Sequence, residues 1–215
     1  MSYPPAPWHL TGKALISLHQ ISIEVSRPFI PAKLEIIPIL PRKSIGGVYL
    51  ASYQAGSVLE YHELIVVPAL VRYQQHIGFW VSHIYVDHED SIRGGREIWG
   101  LPKEFADFKW KNSEVLVTQK DRTLCVFSRQ SEWLNLTKLW LPQFRGSSFS
   151  RKERDLLSFN SQFKVNPSFI SASLMIPEES PFSALNLGQG FLACSLNNLD
   201  LTVNAPQSIS TFSSL

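Results

Sequence analysis

The chain reads as a mostly β, α+β protein: an antiparallel barrel- or cone-like sheet enclosing a pocket, with a short helix in front of a lysine. Three observations predict this. Short apolar runs rich in Val, Ile, Phe and Tyr recur along most of the 215 residues, separated by Pro, Gly, Asn and Ser. Hydrophobic residues make up 44% of the chain against 18% charged, which is ample apolar surface for a core. One stretch, from His88 to Trp99, replaces the two-residue alternation by a helical spacing. At this length the expectation is one domain, residues 1–215.

The elements follow in order. In residues 14–25, Ile16 and Leu18 and then Ile21, Ile23 and Val25 fall on alternate positions, with a phase change at His19 and Gln20 that a bulge would explain. Strands are then predicted over 47–53, 63–71 and 77–86. Glu89, Asp90 and Ser91 open a helix in which Ile92, Arg96 and Trp99 lie three or four positions apart; Gly100 and Pro102 end it. Gly94 and Gly95 weaken that helix, so they permit close packing rather than promote helicity. Residues 107–110, 114–119 and 123–128 form a meander with tips at Lys111, Asn112 and Ser113 and at Lys120, Asp121 and Arg122. Arg151, Lys152, Glu153 and Arg154 read as a solvated turn or helix start, and later strands are predicted over 169–176 and 191–203.

Composition excludes several function classes. The formal charge is +2 and the basic residues are scattered, so no nucleic-acid partner is expected. Cys125 and Cys194 do not suggest a disulfide framework. The N-terminal residues carry Pro4, Pro5 and Pro7 with no basic region before an apolar run, and the apolar stretch 64–71 is interrupted by Pro68 and far too short to span a bilayer. The expectation is a cytoplasmic protein with no membrane partner.

The segment Gly95-Arg96-Glu97-Ile98-Trp99-Gly100-Leu101-Pro102-Lys103-Glu104 resembles the lysine-bearing signature of the acetoacetate decarboxylase-like superfamily. Tyr85-Val86-Asp87 just upstream, Tyr61-His62-Glu63 before it, and the opening with Trp8, Leu10 and Gly12 are similar to shorter bacterial members; the likeness covers residues 3–108. The resemblance implies a lysine, Lys103, that forms a Schiff base with a small keto acid, no cofactor and no metal, and a homo-oligomer. It implies a proton-transfer role for Glu63, and substrate contacts from Tyr85 and Trp99.

The chemistry needs an amine that is held still, kept from bulk water and able to lose its proton. Pro102 fixes its own φ and restricts Leu101, while Trp99, Leu101, Phe105 and Phe108 are placed to supply an apolar wall. A free lysine amine of pKa about 10.4 is almost wholly protonated at neutral pH, and desolvation is the available lever for activating it, as the family is known to do. Two positions depart from the best-known decarboxylases. Glu104 stands where a second lysine follows the nucleophile, and it has two readings: a carboxylate pointing the same way as Lys103 would favour the ammonium and oppose activation, whereas strand alternation would turn it to the other face as a surface residue. Thr11-Gly12-Lys13 stands where an arginine engages the substrate carboxylate, with Lys13 as an imperfect substitute, and Tyr49 stands near the position of a further family acid.

Arg96 has two readings: a structural arginine tying the helix to sheet carbonyls, or an anion binder facing the pocket. His83, His88, Glu89 and Asp90 have no recognisable metal-ligand spacing. The expected function is decarboxylation of a small β-keto acid through an iminium on Lys103. The alternatives are an aldolase or dehydratase using the same iminium, and a binding protein that holds a small ligand without turnover.

Overall fold

The computed structural model describes residues 3–136 and 143–211. In chain order these form β1 (Trp8–Ser22), a four-residue helix α1 (Ile23–Ser26), β2 (Glu35–Ile36), β3 (Lys43–Tyr53), β4 (Tyr61–Val67), β5 (Leu70–Tyr73), β6 (His76–Trp80) and β7 (His83–Val86). The helix α2 (Glu89–Trp99) follows, then β8 (Lys103–Phe105), β9 (Asp107–Trp110), β10 (Glu114–Gln119), β11 (Arg122–Asn135), β12 (Phe144–Lys152), β13 (Asp155–Met175), β14 (Leu192–Val203) and β15 (Gln207–Thr211). The class is the expected one.

The strands share one sheet whose main path runs β2-β5-β6-β12-β13-β14-β1-β3-β4-β7-β8, with β9, β10, β11 and β15 branching from it. The expected barrel is not formed, because the path ends at β2 and β8, which do not pair with each other. These end strands are two and three residues long and offer few backbone groups for closure. Among the described residues no helix is long and apolar enough to cross a membrane.

Several boundaries follow from local chemistry. The run 63–71 divides at Pro68 into β4 and β5, since proline cannot donate to a ladder. The run 77–86 also divides, at Val81 and Ser82, into β6 and β7. Lys120, at positive φ, turns the tight β10–β11 hairpin where a tip was expected. Glu153 does the same between β12 and β13, so the 151–154 cluster is a hairpin turn. No bulge interrupts β1 at His19 and Gln20 along β3, where pairing runs unbroken from Gly12↔Tyr53 to Ser22↔Lys43. The phase change instead records a strand buried on both faces: Leu15, Ser17, His19 and Ile21 are buried on one, and Ile16 and Leu18 line a cavity on the other.

That two-sided burial organises the molecule. Leu50, Leu64, Val66, Tyr85, Phe127 and Phe182 belong to an apolar cluster on one side of the central strands. Trp8, Leu10, Tyr53, Tyr61, Ile84, Trp99 and Leu201 belong to a second cluster on the other. The second is hollow, enclosing a cavity of about 240 Å³.

Candidate active site

The lysine is placed by the elements that bracket it. His88 caps α2 by accepting the Asp90 amide on its side chain, and Gly100 ends the helix in the left-handed conformation at φ 62°. Leu101 N–H returns to the Gly95 carbonyl, and Pro102 then leads into β8. Here β8 lies parallel to β7 with Lys103 beside Ile84 and Glu104 beside Tyr85. Alternation therefore sends Lys103 into the hollow cluster with Ile84 and sends Glu104 to the opposite face. There Glu104 Oε2 accepts from Gln119 Nε2 at 2.8 Å. Arg96 Nε donates to the Lys103 carbonyl at 2.8 Å, so the arginine ties α2 to β8.

Glycine makes the approach possible. A Cβ on Gly95 would lie 2.5 Å from Lys103 Cδ, and one on Gly94 would lie 2.6 Å from the Trp8 ring. The two glycines let the helix sit directly against the lysine stem and the indole that flanks it.

Lys103 is 2% exposed and its Nζ makes three polar contacts: Glu63 Oε1 at 2.8 Å, Ser91 Oγ at 2.9 Å and Tyr61 Oη at 3.5 Å. The nitrogen also lies 5.0 Å from the Tyr61 ring centroid and 5.6 Å from that of Trp8. Glu63 is 5% exposed, and its second oxygen accepts from Tyr53 Oη at 3.0 Å; Tyr53 in turn contacts Tyr49 Oη at 3.3 Å. Burial, followed by the Glu63 carboxylate, pushes the Tyr53 and Tyr61 phenols well above their ordinary value, and burial raises Tyr49 too. All three therefore stay protonated at neutral pH. A chain of hydroxyls thus leads to a carboxylate, and the carboxylate leads to the amine.

Lys103 and Glu63 are the charged residues among the described cavity lining; Trp99 and Leu101 also line it. The other residues expected at the site lie elsewhere. Tyr85 pairs with Leu64 and so faces the filled cluster, where burial and then the nearby Glu104 charge push its phenol up to about 12. Lys13 is exposed, with Nζ 5.4 Å from the Trp110 ring centroid, and does not line the cavity. Arg96 is exposed and occupied by the β8 carbonyl, which fits the structural reading rather than the substrate-binding one. Of the expected apolar wall, Phe105 is exposed and Phe108 packs on the filled side. The Tyr-x-Asp and Tyr-His-Glu segments are joined by Asp87, which accepts the His62 amide at 2.7 Å and pairs with His62 Nδ1 at 2.6 Å.

Ser91, Tyr53 and Tyr61 are site residues that the sequence reading did not assign. Two signals were present: Tyr61 and Glu63 are two apart on a strand, and Ser91, Gly95 and Trp99 are four apart on a helix.

The acetoacetate decarboxylase family model matches residues 1–133, a span that includes every polar contact of Lys103. The chain belongs to that family. Protein NEOXANTHIN-DEFICIENT 1 of Solanum lycopersicum is 31% identical over 111 residues, which are 52% of this chain and 37% of the relative. Acetoacetate decarboxylase 3 of Mesorhizobium japonicum is 30% identical over 110 residues, 50% of this chain and 41% of the relative. These matches span less than half the length of either curated relative. Among solved structures, acetoacetate decarboxylase from Legionella pneumophila superposes with a TM-score of 0.78 at 17% identity, covering 99% of this chain and 90% of the other. The enduracididine biosynthesis enzyme MppR, complexed with pyruvate, gives 0.73 at 13% identity, covering 99% and 93%. These two likenesses extend the family fold beyond residue 133 to β12–β15.

Proposed function

We propose that this acetoacetate decarboxylase family member is a Schiff-base enzyme that decarboxylates a β-keto acid through an iminium on Lys103. The observation that carries the reading is the buried Lys103–Glu63 pair, with Nζ 2.8 Å from the carboxylate at the wall of an apolar cavity. The pair supplies both a nucleophile and a base that can take its proton.

Proton transfer from the ammonium to Glu63 leaves a neutral amine, which attacks the keto carbon. The carbinolamine oxygen takes the proton back from Glu63 and a second from nitrogen, and leaves as water. The iminium N–H remains and withdraws the electron pair of the adjacent C–C bond, so carbon dioxide departs and an enamine forms. A proton delivered from water through Glu63 adds to the enamine carbon, and hydrolysis of the resulting iminium releases the ketone and free Lys103. Tyr53 and Ser91 are positioning residues that hold the carboxylate and the nitrogen in register.

The lining suits loss of carbon dioxide. Negative charge leaves the substrate carboxylate as the transition state forms, so a cation clamped on that group would stabilise the ground state and slow the step. Among the described lining residues no arginine is present, and Lys103 is the nucleophile itself.

The likeness to MppR complexed with pyruvate favours a second reading, in which the same iminium supports aldol cleavage or dehydration. Borohydride reduction in the presence of acetoacetate tests the shared step: a reduced adduct is expected on Lys103 and none in Lys103→Ala. Carbon dioxide release from acetoacetate, set beside a pyruvate-plus-aldehyde assay, separates the two reactions. The Schiff-base reading fails if wild-type protein gives no adduct with any keto acid, which would leave ligand binding without turnover.

A further inference from the structure

We infer that the keto acid carries a long, unbranched apolar chain, making the substrate class 3-oxo acids with a tail of about ten carbons beyond the keto carbon rather than acetoacetate; this rests on the Schiff-base reading. The inference comes from how the cavity is graded along β4. Tyr61, Glu63, Ile65 and Val67 occupy alternate positions of that strand and all line the same cavity. The first two hold the amine, while the last two are aliphatic.

The neighbouring strands repeat the gradient in register. Tyr53 lies opposite Tyr61, Tyr49 opposite Ile65, and Gly47 opposite Val67 on β3. Beyond β3, Ile16 pairs with Tyr49 and Leu18 with Gly47, and both line the cavity. Phe79 and Val81 are also in the wall. Phenol hydroxyls and charge thus gather beside Lys103, and the end marked by Val67, Gly47 and Leu18 offers methyl groups and backbone; Ser148, paired with Phe79, and Ser161 are the further hydroxyl residues of the lining.

Length sets the size of the tail. The four residue steps from Glu63 to Val67 advance about 13 Å along a strand. An extended alkyl chain advances about 1.3 Å per carbon–carbon bond at ordinary bond lengths, which gives roughly ten carbons. The cavity, at about 240 Å³, exceeds the roughly 150 Å³ of an engineered apolar cavity that holds benzene. Acetoacetate, with a single methyl group beyond its keto carbon, would leave the aliphatic end of the cavity without a ligand group to cover it.

The test is a series of straight-chain 3-oxo acids from four to fourteen carbons, read by carbon dioxide release. The expected result is a KM that falls roughly fourfold per added methylene until the chain reaches the end of the cavity, and then levels. Val67→Trp, or Leu18→Phe should the first variant not fold, moves the levelling point to a shorter chain. A flat or rising KM across the series, with acetoacetate turned over and trapped on Lys103, overturns the chain inference and leaves the Schiff-base reading standing. Equally, an unmoved levelling point in a folded variant overturns the assigned direction of the tail. Should no acid be turned over or trapped, the Schiff-base reading falls, and calorimetry with straight-chain 2-alkanones decides the cavity alone: tighter binding with each methylene supports the apolar tail site, and chain-independent or absent binding overturns it.

Discussion

The two faces of β4 obey one alternation and end in opposite states. Leu64 and Val66 point into a filled cluster in which Phe127 of β11 and Phe182 and Leu185 pack with them. Glu63, Ile65 and Val67 point into the cavity. Both faces are apolar for most of their length, and a sequence period of two reports only which residues share a face. What differs is the element across from each face. Large rings occupy the space over one, whereas over the other the glycines of α2 bring backbone close around a single lysine and leave a void beside it. A core and a candidate active site are two answers to the same strand pattern.

The sharpest way to break that comparison is to remove the charge from the hollow face. Glu63→Gln keeps the volume and one acceptor but cannot take the Lys103 proton. Turnover is expected to fall by about 10²–10⁴, the usual range for loss of general acid–base catalysis. Steady-state carbon dioxide release checks this, with circular dichroism confirming the fold. Retained turnover would make Glu63 a structural counter-ion and remove it from the proton transfers.

Adjacent residues on β4 give a finer test. Leu64→Ala removes a side chain with no solvent exposure from the filled cluster, and is expected to cost about 2–5 kcal/mol through lost burial and a new cavity. Ile65→Ala enlarges a space that already exists, so its stability cost should be lower, about 1–2 kcal/mol. It should raise KM for whatever occupies the cavity. Urea denaturation and substrate titration of the two variants measure both quantities, and equal stability costs would show that the hollow face is packed as tightly as the filled one.

Much of the site was legible because its chemistry is local. Lys103 follows a helix stop, and of the two readings of Glu104 the structure has the one given by strand alternation, with the carboxylate on the Gln119 side. The same rule, applied between strands, would have removed Tyr85, but its partner Leu64 is known only once the β4–β7 register is known. Lys13 failed for a related reason: alternation from Ala14 says which positions are exposed only after both faces of β1 are seen to be buried. Ser91 was hidden because its role depends on Gly95 allowing the lysine stem to run along α2. In β12, the sequence Phe-Arg-Gly-Ser-Ser-Phe-Ser-Arg-Lys has little strand propensity; it is a strand because β13 and β6 pair with it on either side, and Phe149 alone anchors it in a core.

The filled face also buries polar groups that have no catalytic task, and these make its stability depend on pH. His19 is 3% exposed, its Nε2 lies 2.8 Å from Ser17 Oγ, and burial pushes the ring down to about 4. In the unfolded chain the ring titrates near 6.5, so between these values the unfolded state binds a proton that the folded state refuses. Stability is therefore fully present above about 6.5 and is lost as pH falls toward 4, with about 2 kcal/mol gone between pH 7 and pH 5. His83, lowered in the same direction by its own burial, adds to the slope with the same sign. Urea midpoints at the two pH values measure the total, and His19→Gln, which cannot titrate there, should flatten the greater part of it. A full slope in that variant would place the acid sensitivity outside the His19 ring and overturn its assignment to this buried imidazole.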